Sequence, residues 1–295
     1  MSAVGPALDL GLGAAARAAV GAPPQLRDPA VIEGLAQVAA ATALAAVVLG
    51  ISYAREIGIE RELGAAFARG FVQVIAMGAL IGLLFSIPLA YSTLVLAGMV
   101  GYAAWESRKR GDGVPAAFRI SLASLGVGAG VVVVTMLAAG AIRPTVRNLV
   151  PVGGMIIANA MKTNSLALDR FRGEVEAHRG EIEALLALGV PPRAAVAEHV
   201  TGSVRAALIP VVDAMKTLGL VYIPGMMSGM ILGGANPIYA AEYQFVIMGM
   251  IFAAGGLTSM TTSLLVGTHA FTDAAQLRRF EASSPSLLGA VRSLF

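Results

Sequence analysis

The chain has 295 residues, 57% of them hydrophobic and 13% charged, with 21 basic and 18 acidic side chains and no cysteine. A soluble domain carries about 25% charged residues; with a mean hydropathy of +0.76, this composition excludes a water-soluble surface and describes an integral membrane protein. The missing cysteine excludes disulfides, thiolate metal sites and cysteine nucleophiles. A net charge of only +3 sets nucleic acid aside as the reason for a pI near 9.4, leaving basic residues beside membrane spans as the explanation.

Residues 1–30 are rich in Ala, Gly and Pro and lack the basic start and compact apolar run of a signal peptide, so they read as an N-terminal tail. A bilayer-crossing helix needs about 20 mostly apolar residues. Candidate spans cover residues 31–53, 67–87, 89–105 and 118–140, a shorter stretch starting near Leu149, and residues 243–267. Residues 204–235 are also apolar, but as one straight helix they would rise about 48 Å, against a hydrocarbon core of about 30 Å. Pro224 followed by Gly225 is the expected break or kink. The fold class is therefore all-α: a polytopic transmembrane bundle of about seven spans over residues 31–270, with a polar segment at 170–203 and a C-terminal tail at 271–295.

Basic residues gather in alternate connections: Arg55, Arg61 and Arg69; Arg108, Lys109, Arg110 and Arg119; Arg170, Arg172, Arg179, Arg193 and Arg205; then Arg278 and Arg279. The positive-inside rule puts these in the cytoplasm, with the N-terminus outside and the C-terminus inside. Arg143 and Arg147 run against it. Gly225, Gly229 and Gly233 make successive GxxxG steps, which serve either packing within the chain or a subunit interface.

In the polar segment, Val175, Ile182, Leu186 and Gly189 recur near helical spacing, while Glu174, Glu176, Arg179, Glu181 and Glu183 face elsewhere. Gly189 ends this amphipathic helix, Pro191 and Pro192 open a turn, and a second short helix begins there. The apolar stripe has to be buried on the protein, on lipid or in a partner's groove.

The stretch "EALLALGV", Glu183 to Val190, resembles the EAA-type cytoplasmic loop of ABC-importer permeases, although Ile209-Pro210 falls well downstream of that family's spacing. More specifically, "GMIIANAM", "LALGVPPRAA", "RAALIPVVDAMKTLGLVYIPGMMSGMILGG" and "YQFVIM" together resemble the FetB-like (UPF0014) permeases over about residues 35–270. That family comprises small ABC membrane subunits linked to iron export in bacteria, with plant relatives tied to aluminium tolerance. The resemblance implies a permease homodimer paired with two copies of a cytoplasmic ABC ATPase. It also implies that the hairpin couples to that ATPase through Glu183, Ala184, Leu186, Gly189, Pro191 and Arg193.

The residues agree that the motor lies elsewhere. A nucleotide-driven pump needs a glycine-rich loop ending in Gly-Lys-Ser/Thr, and neither Lys162-Thr163 nor Lys216-Thr217 follows glycine. The chain is expected to be no enzyme and to bind no cofactor, with ATP and Mg used by the partner. No HExxH or GxSxG motif appears. An ion-coupled secondary transporter or channel is the alternative, since broken helices and midplane charges occur there too.

Asp213 and Lys216 stand in the most apolar region at i, i+3 spacing. A charge at the bilayer centre costs roughly 2.5–3.5 kcal/mol, so the two are expected to pair, either as a structural anchor or as part of the solute path. Asn159 and Lys162 are placed to meet Asp213 across a helix interface. Met226, Met227 and Met230 are core filler or a soft-metal path. His178, His199 and His269 lack zinc-site spacing and read as surface residues. No metal ligand set is assigned.

Overall fold

A computed structural model describes residues 29–280 apart from 57, 59, 87, 112 and 273. Both sequence-assigned tails therefore fall largely outside the described residues. The described residues form ten helices: α1 Pro29–Ala54, α2 Glu60–Ser86, α3 Leu89–Ser107, α4 Ala117–Ala138, α5 Val146–Ala177, α6 Arg179–Ala187, α7 Pro192–Ala195, α8 Ala197–Thr217, α9 Gly225–Leu232 and α10 Pro237–His269. Four stretches are long and apolar enough to cross a bilayer: Glu33–Ala54, Glu60–Leu80, Ala117–Ala138 and Pro237–His269. This is a polytopic helical membrane protein.

The chain divides into two compact units, Met1–Gly82 and Leu83–Phe295. In the first, α1 and the opening of α2 bury none of their apolar windows. Apolar surface of that kind needs lipid or another protein to cover it. Their junction is held by Ser52, whose hydroxyl donates to the Glu60 carboxylate at 2.7 Å.

In the second unit α10 packs along α4, α5 and α8, and α3 closes against α4 and α5. One core, built on Leu125, Ile156, Ile247, Met250 and Ala254, fills the middle. Around it, Val131, Val134, Phe245, Phe252 and Leu264 point outward and exposed, which suits a lipid-facing surface. Gly128 is what allows the α4–α10 crossing. A Cβ there would sit 2.8 Å from the Ala254 carbonyl oxygen and 2.9 Å from the Thr258 nitrogen, and would collide with the Thr258 hydroxyl.

A second core closes one end of this unit. It gathers Val114 and Ala117 at the start of α4, Leu168, Phe171 and Val175 late in α5, Ile182 of α6, Val196 before α8, and Val266, Ala270 and Phe280 after the body of α10. Arg108–Arg110, Arg119, Arg170, Arg172, Arg179, Arg193 and Arg278 lie in or toward the same helix ends and connections, with Arg205 in the first half of α8, whereas Arg143, in the α4–α5 connection, and Arg147, in the first turn of α5, lie at the opposite end. Trp105 marks the basic end, with the Arg108 guanidinium 3.5 Å above its ring, an interfacial pairing of aromatic and cation.

The structure corrects two sequence expectations. The short span near Leu149 and the first leg of the polar hairpin are one helix, the 32-residue α5, because its late apolar positions Phe171 and Val175 keep packing on the bundle. The break after residue 204 comes at Leu218 and Gly219, not at Pro224. Thr217 ends α8, Gly219 takes φ +80°, and Pro224 precedes the eight-residue α9. At about 12 Å, α9 is too short to cross. Among the described residues, nothing approaches a Cβ built at Gly225 or Gly229 of the GxxxG stripe.

Candidate functional site

The polar hairpin is an elbow fixed at its base and open at its tip. Val175 and Ile182, two of the stripe residues, are fully buried in the second core. The stripe is thus satisfied by the protein's own bundle. Between Ala187 and Pro192 the chain turns through Gly189 at φ +86°, a conformation glycine adopts without strain, and Pro192 starts α7 with its missing donor at no cost. Leu188, at the tip, is 82% exposed. Beside it lies a groove of about 660 Å³ lined by Glu183, Leu186, Gly189, Pro191 and, from beyond α10, Gln276 and Leu277. A second recess of about 430 Å³ takes in Pro191, Arg193 and Phe271. Of the residues assigned to coupling, Glu183, Leu186, Gly189, Pro191 and Arg193 line these two hollows; Ala184 is exposed on α6.

The segment after α10 is strapped to this elbow. Arg179 is the clasp: it bonds the Glu176 and Glu183 carboxylates, each at 3.2 Å, and donates to the Arg278 carbonyl at 2.8 Å. The Phe280 amide donates to Glu176 at 3.2 Å, while the Phe280 ring packs 6.3 Å from Phe171. The Arg179 hydrogen bond holds the Glu176 carboxyl below its ordinary value of 4.5. A lowered carboxyl contributes stability above that ordinary value and loses it as pH falls below it through the lowered one. Acidification below pH 4.5 is therefore expected to weaken the hold of Glu176 on the Phe280 amide. A lower protection factor at that amide, corrected for the intrinsic exchange rate at each pH, is the readout, and Glu176→Gln should reduce its pH dependence.

Asn159 and Lys162 share a cavity of about 310 Å³ with Thr163 of α5, Ala207, Pro210, Val211 and Ala214 of α8, Tyr222, and Met248 and Ile251 of α10. Pro210 contributes directly, because a proline inside a helix leaves a carbonyl unbonded and bends the segment. Asn159 donates to the Met155 carbonyl at 2.9 Å. Asp213 does not enter. It pairs with Lys216 at 3.4 Å with both side chains mostly exposed, 60% and 70%, in the last turn of a helix that begins at Ala197. Asp213 lies about 24 Å along α8 from its first residue, at the end of the helix remote from the hairpin. Met226 packs on the central core; Met227 and Met230 are half-buried on α9. The structure thus brings Asn159 to Lys162 and Asp213 to Lys216, but gathers neither pair with the methionines.

Two features escaped the sequence reading. A polar seam runs through the apolar bundle: buried Asn164 donates to Ser121 at 2.9 Å and accepts from Thr262, and Ser203 meets Ser263 at 3.1 Å. Interhelical bonds of this kind contribute about 0.6–2 kcal/mol. Asn164→Leu is expected to lower stability by about 1–2 kcal/mol, measured by thermal unfolding in detergent. The "TSMTTS" run of 258–263 was its only signal. The second feature joins Glu174, His178 and His199, whose ligand atoms lie within 4.8 Å of one another. Glu174 and His178 are one helical turn apart on the sequence, but His199 reaches them only because the elbow folds back.

Comparison with known proteins places the chain among membrane proteins. The family model described as "Uncharacterised protein family (UPF0014)" matches residues 35–271. The chain belongs to the UPF0014 family. It is 35% identical to the rice UPF0014 membrane protein STAR2 over 245 residues, covering 83% of this chain and 86% of that one. To the Escherichia coli protein named "Probable iron export permease protein FetB" it is 32% identical over 240 residues, 81% and 93% of the two chains. To the Arabidopsis thaliana protein ALUMINUM SENSITIVE 3 it is 30% identical over 259 residues, 86% and 93%. No solved structure matches. The chain is a multi-pass membrane protein of this family, a distant homologue of a probable iron export permease.

Proposed function

We propose that this chain is the membrane subunit of an ATP-driven exporter of iron or another metal, working as a homodimer with a separate cytoplasmic ABC ATPase that uses ATP and Mg. The observation that carries the reading is the elbow: an exposed apolar tip beside a 660 Å³ groove, rigidly based on the buried Val175 and Ile182, at the end where the basic residues collect. A protein that drives a membrane bundle has to grip something that sticks out and transmits force, and a tip pinned to the bundle core does both. On this reading seven long helices, α1 to α5, α8 and α10, cross the bilayer, with the N-terminus outside and the basic end in the cytoplasm.

Motion of the elbow reaches α5 and α8 first, since it joins them directly. Those helices enclose the cavity around Asn159 and Lys162, which makes it the natural place for an access change. The Asp213–Lys216 pair then serves the far end of α8. Export of iron comes from the printed name of the E. coli relative and is carried to this chain as part of the proposal.

Co-expression with a cytoplasmic ABC ATPase from the same genome, followed by affinity purification through the permease, tests the reading. The expected result is a stoichiometric complex whose ATPase activity drives metal efflux from reconstituted vesicles. A stable permease that retains no ATPase, and moves solute under an ion gradient without nucleotide, would replace this reading with an ion-coupled carrier.

A further inference from the structure

Glu174 lies on the last turn of α5, His178 is the capping residue between α5 and α6, and His199 lies on the first turn of α8. Helices α5 and α8 pack side by side and are connected in sequence through the elbow, so these three side chains bridge its base. The Glu174 carboxylate is 3.6 Å from His178 Nδ1 and 3.7 Å from His199 Nδ1. The imidazole rings stack with centroids 4.9 Å apart. His178 Nδ1 is also 2.9 Å from the Glu174 carbonyl oxygen, a contact that ligation of an ion through Nδ1 would replace.

From this geometry we infer that Glu174, His178 and His199 form a binding site for a divalent first-row transition metal ion. Two imidazoles and one carboxylate are a donor set such ions take, and one that Mg²⁺ and Ca²⁺, which prefer all-oxygen shells, do not. Metal–ligand bonds of about 2.1 Å in a tetrahedral site place ligand atoms about 3.4 Å apart. The present separations, at most 4.8 Å, close to that by side-chain rotation. Glu174 and His178 are about half-exposed, while His199 is only 13% exposed, so an ion has an open approach and one anchored ligand. The remaining coordination position is left to water.

A bound ion would staple the end of α5 to the start of α8 and restrain the elbow. Its effect on transport rests on the reading of the elbow as the ATPase grip; the binding itself does not. The purified full-length permease, without any ATPase, is titrated with Co²⁺ and Zn²⁺ in chelator-stripped buffer. The expected result is one Co²⁺ per chain with a visible absorption band, displaced by Zn²⁺ and not by Mg²⁺ or Ca²⁺. His178→Ala, His199→Ala and Glu174→Gln should each weaken binding at least about tenfold. His269→Ala, which lies outside the cluster and bonds the Leu265 carbonyl, should bind as the wild type does.

Hydrogen exchange on the wild-type protein gives a reading that does not depend on the variants folding. Zn²⁺ should slow exchange across 174–199. Absence of stoichiometric binding, binding indifferent to His178→Ala and His199→Ala, or exchange unchanged by Zn²⁺ overturns the site and leaves the permease reading intact. A chain that binds the ion but recruits no ATPase overturns the permease reading and leaves the site.

Discussion

Gly128→Leu is expected to yield no monodisperse, folded protein in detergent, and Gly128→Ala to lose about 1–3 kcal/mol. The reason is what a side chain would strike. The Ala254 carbonyl and the Thr258 amide are 2.8 and 2.9 Å from the position of a Cβ. They belong to the backbone of α10, so no rotamer change relieves the clash. The helices would have to part, opening the core between Leu125, Ala129 and Val132 on one side and Ile251 and Ala254 on the other. Gly126, two residues earlier on the same helix, meets nothing. There Gly→Ala should be neutral or stabilise by about 0.5–1 kcal/mol through helix propensity. Size-exclusion profiles and thermal unfolding of the three variants read the difference. Equal behaviour of Gly126→Ala and Gly128→Ala would mean that α4 and α10 do not cross at this point.

Leu188→Glu addresses the functional reading with the second large effect. Leu188 touches little of its own chain, being 82% exposed, so replacement should leave permease stability within about 0.5 kcal/mol. If the tip is buried in an ATPase groove, a charge there desolvates without a partner, and retention of the ATPase should fall at least tenfold, equal to about 1.4 kcal/mol. Unchanged retention would move the contact away from the tip, toward the groove of Glu183 and Leu186 or off the elbow altogether. Glu183→Lys separates those two cases, since it alters the groove and leaves the tip alone.

Much of this architecture is legible in the residues because the bilayer imposes simple rules. Lipid cannot hydrogen-bond a backbone, so apolar runs such as 31–53 and 118–140 had to be helices, and α1 and α4 match them within a few residues. The turn at Gly189 was readable too, because glycine followed by two prolines leaves the chain few options. The limits were equally physical. Pro224 looked like the break, but α8 ended at Thr217, where Gly219 could take a left-handed conformation and the chain could turn back before the proline. The Asp213–Lys216 pair read as buried because its neighbours in sequence are apolar. Burial inside the protein is a property of neighbours in space, and the pair stands on the outer surface of the bundle.

Composition and pattern alone thus determined that the chain is a helical membrane protein, that it lacks a Walker-type ATPase loop, and that a polar hairpin interrupts its spans. Those properties follow from local chemistry: hydropathy over a bilayer's thickness, the residues a phosphate loop requires, and glycine and proline at a turn. Only the tertiary structure decided that the hairpin's stripe is buried on its own bundle while its tip stays free. It also decided that Asn164 links Ser121 to Thr262, and that Glu174, His178 and His199 meet. Each of these is a contact between helices distant in sequence, set by how α4, α5, α8 and α10 pack, and no periodicity along one helix encodes which face of another it will meet.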